Sequence, residues 1–137
     1  MAERIIYCDT NFYLDYFYDR RDKFRPLGEF AFQVIQRALS CEFKFIISDW
    51  LIVELEKNHA KQKMNDLLIE LRKKDKIIET QITREDERLA RSLPTHFEDA
   101  LHAAIAIRAK AECIVTTNIK DFLPLTEKIE CILPQYL

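Results

Sequence analysis

Short apolar runs alternate with helical patterns along the whole chain, and this alternation limits the possible fold more than any other feature. The runs predicted as strands are Arg4–Cys8, Phe43–Ile47, Lys76–Glu79, Cys113–Thr117 and Ile129–Leu133. Short continuous apolar strands are typical of a sheet that is covered on both faces. Neighbouring parallel strands must be joined by long crossover connections, and the predicted helices supply these connections here. The order therefore predicts a three-layer α/β/α fold with a central, mostly parallel sheet of four or five strands.

Helix-start signals predict where the helices lie between these strands. The predicted helices are Asn11–Arg20 with Thr10 or Asn11 near its cap, Pro26–Ser40, one beginning near Asp49, Lys61–Lys74, one after Thr83, and one reaching about Lys110. Ser48 or Asp49 is a natural cap for the third of these helices. The sequence T-x-x-E at Thr95 and Glu98 predicts a capping box that opens the last one.

The chain shows the features of one globular domain over residues 1–137. It contains no internal repeat and no linker rich in Pro, Ser or Gly. We find neither a secretory signal nor an apolar stretch of membrane-spanning length, so no membrane partner is expected. The four cysteines form no CxxC pair and three lie in strand-like runs, which favours buried reduced thiols. We therefore expect a cytoplasmic protein.

Glycine is scarce, and this excludes two kinds of phosphate site. Average usage would give roughly ten glycines, but Gly28 is the only one among the 137 residues. Dinucleotide fingerprints and Walker loops need several glycines so that the backbone can approach a phosphate. A protein of this composition must bind phosphate by other means.

Four carboxylates are the candidate site residues. Asp9 and Asp121 follow the first and fourth predicted strands, Glu54 lies in the apolar segment WLIVEL, and Asp99 lies near the start of a helix. Ligand sites of open α/β sheets form beyond the carboxyl ends of the strands. If the first and fourth strands are neighbours, all four carboxylates meet at one edge and repel each other. Mg²⁺ or Mn²⁺, which prefer oxygen ligands, would relieve this repulsion.

Each of these residues also has an ordinary structural explanation. Asp9 could cap a helix, and Asp99 could be stabilised by the dipole at the start of its helix. Asn118 and Asp121 could form a turn. A salt bridge to Lys57, one turn along the helix, could explain Glu54. His102, three residues after Asp99, is typical of a packed or hydrogen-bonded histidine.

Two basic clusters are candidate contacts for nucleic acid. The segment Lys57–Lys76 carries seven Lys or Arg residues against three acids, and a second cluster follows the first predicted helix. The residues predicted to contact nucleic acid are Arg20, Arg21, Arg72, Lys73 and Lys74. Phosphate contact is the functional interpretation, and a solvated helix face is the structural one.

The ordered set of motifs resembles the PIN-domain nucleases, particularly single-domain VapC-type toxins. The resemblance lies in DTNFYLD, SDWLIVEL and EDALHAAIAIRAKAECIVTTNIKDF, which cover almost the whole chain. It implies that Asp9, Glu54, Asp99 and Asp121 form an acidic set that binds one or two Mg²⁺ or Mn²⁺ ions. It further implies Asn11, Thr116 and Asn118 as auxiliary polar groups. Asn118 departs from the family, because many relatives have Asp there, and a neutral amide weakens a second metal site.

The resemblance implies a metal-dependent endoribonuclease that hydrolyses RNA phosphodiester bonds and acts as the toxin of a toxin–antitoxin pair. It also implies a homodimer and an antitoxin partner, and the aromatic first helix could supply such a surface. The alternatives are a PIN-like nuclease for RNA processing or DNA structures, and a catalytically weakened module that binds RNA or protein. A phosphatase of another α/β type is disfavoured, because no DxD follows the first strand.

Overall fold

The computed structural model describes residues 3–137 and contains a sheet of five parallel strands in the order β3-β2-β1-β4-β5. The strands are β1 (Arg4–Cys8), β2 (Phe43–Ser48), β3 (Ile77–Thr80), β4 (Cys113–Val115) and β5 (Glu130–Ile132). The helices are α1 (Thr10–Tyr18), α2 (Leu27–Leu39), α3 (Asp49–Lys57), α4 (Lys61–Lys73), α5 (Arg84–Ser92), α6 (Phe97–Arg108) and α7 (Ile119–Phe122). Two 3-10 helices, Leu123–Leu125 and Pro134–Tyr136, complete the order. The predicted fold class is confirmed.

Helices cover both faces of the sheet, which forms two separate cores. On one face, α1 to α4 pack against β1 side chains such as Ile6 and Cys8. On the other face, α5 and α6 pack against Tyr7 and Ile114. The α6 alanines, including Ala103 and Ala106, are fully buried, as their small size predicts for a helix lying close to the sheet.

The centre of the sheet joins the two strands that the sequence predicts to be neighbours. β1 and β4 are parallel, and Cys8 lies opposite Val115 at their carboxyl ends. The pairing continues one step further, since the backbone N–H of Asp9 donates to the carbonyl of Val115 at 3.1 Å. Asp9 and Thr116 therefore emerge side by side at the carboxyl edge.

Two of the predicted helix caps are wrong, the cap at Ser48 is confirmed, and Thr83 is a cap that was not predicted from the sequence. Asp9, rather than Thr10 or Asn11, caps α1, because its Oδ1 accepts from the Phe12 N–H at 3.0 Å. The predicted capping box at Thr95 does not form, since α6 begins at Phe97 without a side-chain cap. Thr95 Oγ1 donates instead to the carbonyl of Asp121 at 2.6 Å. Ser48 caps α3, and Thr83 caps α5 in a reciprocal capping box.

The single glycine allows α1 and α2 to approach closely. A Cβ at Gly28 would lie 2.6 Å from the Cα of Asp19 and 2.8 Å from the carbonyl oxygen of Asp15. The Gly28 N–H also donates to the carbonyl of Arg20 at 2.9 Å. Gly28 therefore fixes the chain at the end of α1, next to the candidate site.

The surface differs from the sequence predictions at one cysteine. All four cysteines are free, but Cys41 is exposed in the turn after α2, so the prediction of a buried thiol is wrong for it. Among the α1 aromatics, Phe12 and Tyr13 are fully buried, whereas Tyr18 is 45% exposed. Over residues 3–137, no helix combines the length and apolar character needed to cross a bilayer.

Candidate active site

A polar cavity of about 190 Å³ opens at the carboxyl edge of the sheet, beside the end of β1. Its lining comes from α1, α3 and α6 and from the residues that follow β1, α1 and α3. It comprises Asp9, Thr10, Asn11, Leu14, Arg20, Glu54, Asn58, Asp99 and His102. Three of the four carboxylates singled out in the sequence thus face one cavity. The lining within the described chain does not include the fourth, Asp121.

Asp9 is buried and held rigidly at the base of the site. Its Oδ1 caps α1, and its Oδ2 accepts from the Thr116 hydroxyl at 2.6 Å. Burial raises the pKa of Asp9 to about 6, although both hydrogen bonds and the nearby His102 ring oppose this rise. The carboxylate is therefore oriented and desolvated, as is typical of a group that acts on a ligand.

Glu54 projects from α3 into the cavity and contacts two polar side chains. Its Oε1 accepts from Thr10 Oγ1 at 2.5 Å and makes a short hydrogen bond with His102 Nε2. Burial raises the pKa of Glu54, but the hydrogen bonds from His102 and Thr10 outweigh burial and leave the pKa below its usual value. His102 is thus the close partner of Glu54, whereas Lys57, the salt-bridge partner considered from the sequence, lies over the ring of Trp50.

Asp99 lies in the first turn of α6, one turn before His102. Burial raises the pKa of Asp99, and the negative charge of Asp121 raises it further. Asp121 lies on α7, where its carboxylate accepts a short hydrogen bond from Asn118 Nδ2. Asp121 is therefore an electrostatic neighbour of Asp99 at the side of the cavity.

The donor set fits a hard divalent cation in its chemistry, with water completing the coordination. The ion pairs at this edge, Arg20–Asp15 and Glu54–His102, give neither Asp9 nor Asp99 a cationic partner within residues 3–137. In that same part of the chain, no three His, Cys, Asp or Glu side chains lie close enough together to hold one ion. An ion at this site would therefore have one or two carboxylate ligands and several waters, a coordination that is common for Mg²⁺.

The auxiliary polar residues lie close to these carboxylates. Asn11 lines the cavity and accepts from Arg20 Nη1 at 3.5 Å. The Asn118 N–H donates to Thr116 Oγ1 at 3.0 Å, so Asn118 is linked to Asp9 through Thr116.

The basic residues are divided between the two edges of the sheet. Arg20 lines the cavity, and Arg21 is exposed in the loop after α1. The end of α4 lies at the opposite, amino edge, because the Lys76 carbonyl accepts from the Phe45 N–H and Asp75 pairs with Lys44 near the start of β2. The structure therefore places Lys73 and Lys74 away from the cavity, and it pairs Arg72 with Glu79.

Sequence patterns pointed less clearly to several residues of this site. Thr10 and Asn58 line the cavity, and Thr117 Oγ1 donates at 2.8 Å to Asp15, the buried partner of Arg20. In the sequence, the only sign that such residues belong to the site is that they are polar and follow strands or helices near the candidate carboxylates. Polar residues are common in turns and helix caps, so this sign is weak. The spacing of Asp99 and His102 on one helix face is the more specific signal.

Comparisons with known proteins support the fold and identify the family. The PIN domain family profile matches residues 6–120. Similar solved structures include a toxin–antitoxin complex from Klebsiella pneumoniae, with 20% identity, TM-score 0.62 and coverage of 94% of this chain and 97% of that chain. VapBC2 from Rickettsia felis bound to a promoter DNA fragment has 18% identity, TM-score 0.65 and coverage of 94% and 98%.

A third similar structure is VapBC-1 from nontypeable Haemophilus influenzae, with 16% identity, TM-score 0.64 and coverage of 95% of this chain and 98% of that chain. No curated protein sequence matches the chain. The structural likeness supports the fold, and the profile covers most of the chain from β1 to α7. The chain therefore belongs to the PIN domain family.

Proposed function

We propose that this protein is a metal-dependent endoribonuclease and the toxin of a toxin–antitoxin pair. One observation carries the proposal: Asp9 and Asp99, two desolvated carboxylates without a cationic partner in residues 3–137, line one cavity with Glu54. Leaving carboxylates in such a place is unfavourable unless a ligand compensates for the lost solvation. Divalent cations such as Mg²⁺ and Mn²⁺ prefer carboxylate oxygens as ligands, so such a cation is the ligand we propose.

Asp9, Glu54 and Asp99 would share one or two Mg²⁺ or Mn²⁺ ions, each ion bound directly by one or two of these carboxylates and otherwise by water, with Asp121 reaching the set from the side through water. The bound ion supplies a Lewis acid that lowers the pKa of water and stabilises charge on the phosphate. Thr116 and the Phe12 N–H hold Asp9 in one orientation. Asn11 and Asn118 offer amide groups for the phosphate or for ordered water.

Arg20 is the cation placed best to contact the RNA backbone. Its guanidinium lines the cavity and lies 3.7 Å from the buried Asp15 carboxylate. Asp15 also accepts from Thr117, so it connects the end of α1 to the segment after β4. Arg21 extends this positive surface at the rim, whereas Lys73 and Lys74 could contact only a distant part of a long RNA.

A groove between α1 and α4 is the surface we assign to the antitoxin. It has a volume of about 450 Å³ and is lined by Tyr16, Phe17, Lys63, Asp66, Leu67 and Glu70. Aromatic side chains beside charged ones are typical of protein interfaces. The three similar structures are described as toxin–antitoxin or VapBC structures, which supports such a partner.

Cleavage assays test the nuclease proposal directly. Purified protein is incubated with labelled RNA and with labelled DNA of the same sequence, in Mg²⁺, in Mn²⁺ and in EDTA. We expect internal cleavage of RNA with either cation and none with EDTA. Cleavage of DNA alone would favour a DNA-structure nuclease, and binding without cleavage would favour a weakened binding module.

Two further assays test the toxin and its assembly. Induced expression in a bacterial host should stop growth, whereas the Asp99→Asn variant should permit it. Light scattering after size exclusion should give the mass of a homodimer, about twice that of the 16.3 kDa chain. Normal growth with active wild-type protein would contradict the toxin role while leaving the nuclease proposal intact.

A further inference from the structure

A chain of hydrogen bonds runs from the candidate metal site into the core between the sheet and α6. Glu54 contacts His102 Nε2, and His102 Nδ1 lies 2.6 Å from the hydroxyl of Tyr7. Tyr7 in turn lies 2.9 Å from Ser48 Oγ. Tyr7, Ser48 and His102 are each 1% exposed or less, so water does not compete for these bonds.

When the His102 ring is neutral, the chemistry of these groups sets the direction of every hydrogen bond. A carboxylate can only accept, so the His102 ring presents a proton at Nε2 toward Glu54. The other nitrogen of a neutral ring is then an acceptor, and the Tyr7 hydroxyl donates to it. Tyr7 accepts from the Ser48 hydroxyl, whose oxygen accepts from the Leu51 N–H at 3.1 Å. Each donor thus meets an acceptor along the chain.

We propose that His102 is a positioning residue, held as its Nε2–H tautomer by Tyr7 and Ser48, which fixes the Glu54 carboxylate for cation binding. The inference rests on the proposed metal-dependent function. Glu54 has a long side chain on an α3 face, and that side chain is about one-fifth exposed, so it needs such a restraint. In the described chain, both side-chain hydrogen bonds to Glu54 fall on Oε1, from Thr10 and His102, so Oε2 is available to a ligand.

The alternative is a histidine that only packs and stabilises the core. Both roles predict that variants of His102 lower the melting temperature. Only the positioning role predicts that the response to a cation changes when the fold is retained. Partners of ligands in metal sites generally affect affinity or activity by about 10- to 100-fold.

The tautomer can be measured in the metal-free protein. Long-range ¹H–¹⁵N correlation spectra at pH 8 should show His102 as a neutral ring protonated at Nε2. The Tyr7→Phe variant should increase the Nδ1–H form, because the ring nitrogen loses its donor. Tyr13→Phe is the matched control, since its buried hydroxyl has no oxygen or nitrogen partner in residues 3–137, and it should leave the spectrum unchanged. An Nδ1–H or doubly protonated ring in the wild type would overturn the proposal.

Mn²⁺ titration followed by the melting temperature tests the effect on Glu54. In His102→Leu, the Mn²⁺ concentration for half of the thermal shift should rise about 10- to 100-fold. His102→Gln, which can keep a donor near the same place, should recover part of the response. Unchanged Mn²⁺ dependence in folded His102→Leu and Tyr7→Phe would overturn this inference alone. A wild-type protein that does not respond to Mn²⁺ would contradict both the inference and the proposed function.

Discussion

The hydroxyl of Thr116 donates a hydrogen bond of 2.6 Å to the carboxylate of Asp9, across the two central strands of the sheet. The parallel register of β1 and β4 brings these residues together, because Cys8 and Val115 are paired immediately before them. The same hydroxyl accepts from the Asn118 N–H, so the start of the β4–α7 segment is fixed to Asp9. The sheet itself thus orients the first candidate ligand.

Thr116→Val should destabilise the protein without changing its fold. Valine keeps the shape but removes a hydrogen bond to a charged group, which typically contributes about 1.5–3 kcal/mol. Urea unfolding at pH 8, where Asp9 is ionised, measures the loss. Thr126→Val is the control, because the Thr126 hydroxyl is exposed and, within residues 3–137, donates to the Leu123 carbonyl alone. Equal stability of the two variants would show that Thr116 does not support Asp9.

Asp9→Asn and Asp99→Asn should abolish metal-dependent cleavage while the protein remains folded. Asparagine can still cap α1 at position 9, and at position 99 it removes a charge that Asp121 opposes. Loss of a ligand should reduce cleavage by at least about 100-fold, the upper range for partners that only support ligands. Cleavage rates and the thermal shift on adding Mn²⁺ measure the effect.

Glu127→Gln is the control for these two variants, since Glu127 is an exposed acid far along the chain after α7. It should keep both cleavage and the Mn²⁺ response. Full activity in Asp9→Asn and Asp99→Asn would remove the acidic set from the mechanism.

Arg20→Gln should weaken RNA binding more than Lys74→Gln does. Arg20 lines the cavity, whereas Lys74 caps the end of α4 just before β3, at the far edge of the sheet. Removing one phosphate contact should reduce the slope of log affinity against log salt by about one. Fluorescence anisotropy with labelled RNA over a salt series, in EDTA, compares the two variants. An equal loss in both would mean that the RNA path reaches the amino edge.

The sequence predicts the sheet and three cavity carboxylates well, because both depend on local patterns. Apolar runs identify the strands, and Asp9, Glu54 and Asp99 occur where the strands and helices meet the carboxyl edge. The position of the α4 basic cluster was not predictable from charge alone. It follows instead from the order of the elements, because a helix that leads into a parallel strand ends at the amino edge of the sheet.

The polar contacts of Thr95 and Glu54 could not be predicted from the sequence either. The Thr95–Glu98 spacing matches a capping box, yet Thr95 bonds to the Asp121 carbonyl, because the chain turns toward α7 at that point. The Glu54–His102 contact joins residues 48 positions apart in the sequence. Such pairs become visible only when the helices are placed on the sheet.

Gly28→Ala should destabilise the protein and disturb the side of the cavity that Arg20 lines. The added Cβ would meet the backbone of Asp19 and Asp15, which cannot give way as a flexible side chain can. Overpacking of this kind typically costs about 1–3 kcal/mol. Chemical denaturation should show this loss, and RNA affinity should fall because Arg20 follows Asp19 directly. Gln36→Gly, on the exposed face of α2, is a control for helix propensity alone, and normal stability of Gly28→Ala would contradict the close approach.

Asp86→Asn should destabilise the protein at neutral pH and much less in acid. The Asp86 carboxylate accepts from Arg108 Nε at 2.8 Å and from the Thr83 N–H at 2.9 Å, which ties α5 to the end of α6. Burial raises the pKa of Asp86, but the hydrogen bonds from Arg108 and Thr83 outweigh it and leave the pKa below its usual value.

A lowered pKa means that the ionised form of Asp86 stabilises the fold above the unfolded pKa of about 3.9. This contribution is lost as the pH falls through the folded pKa. Urea unfolding at pH 7 should show a loss of about 1–3 kcal/mol, and the difference from wild type should shrink below about pH 4. A difference that stays constant over this pH range would mean that packing of Asp86, rather than its charge, holds α6 in place.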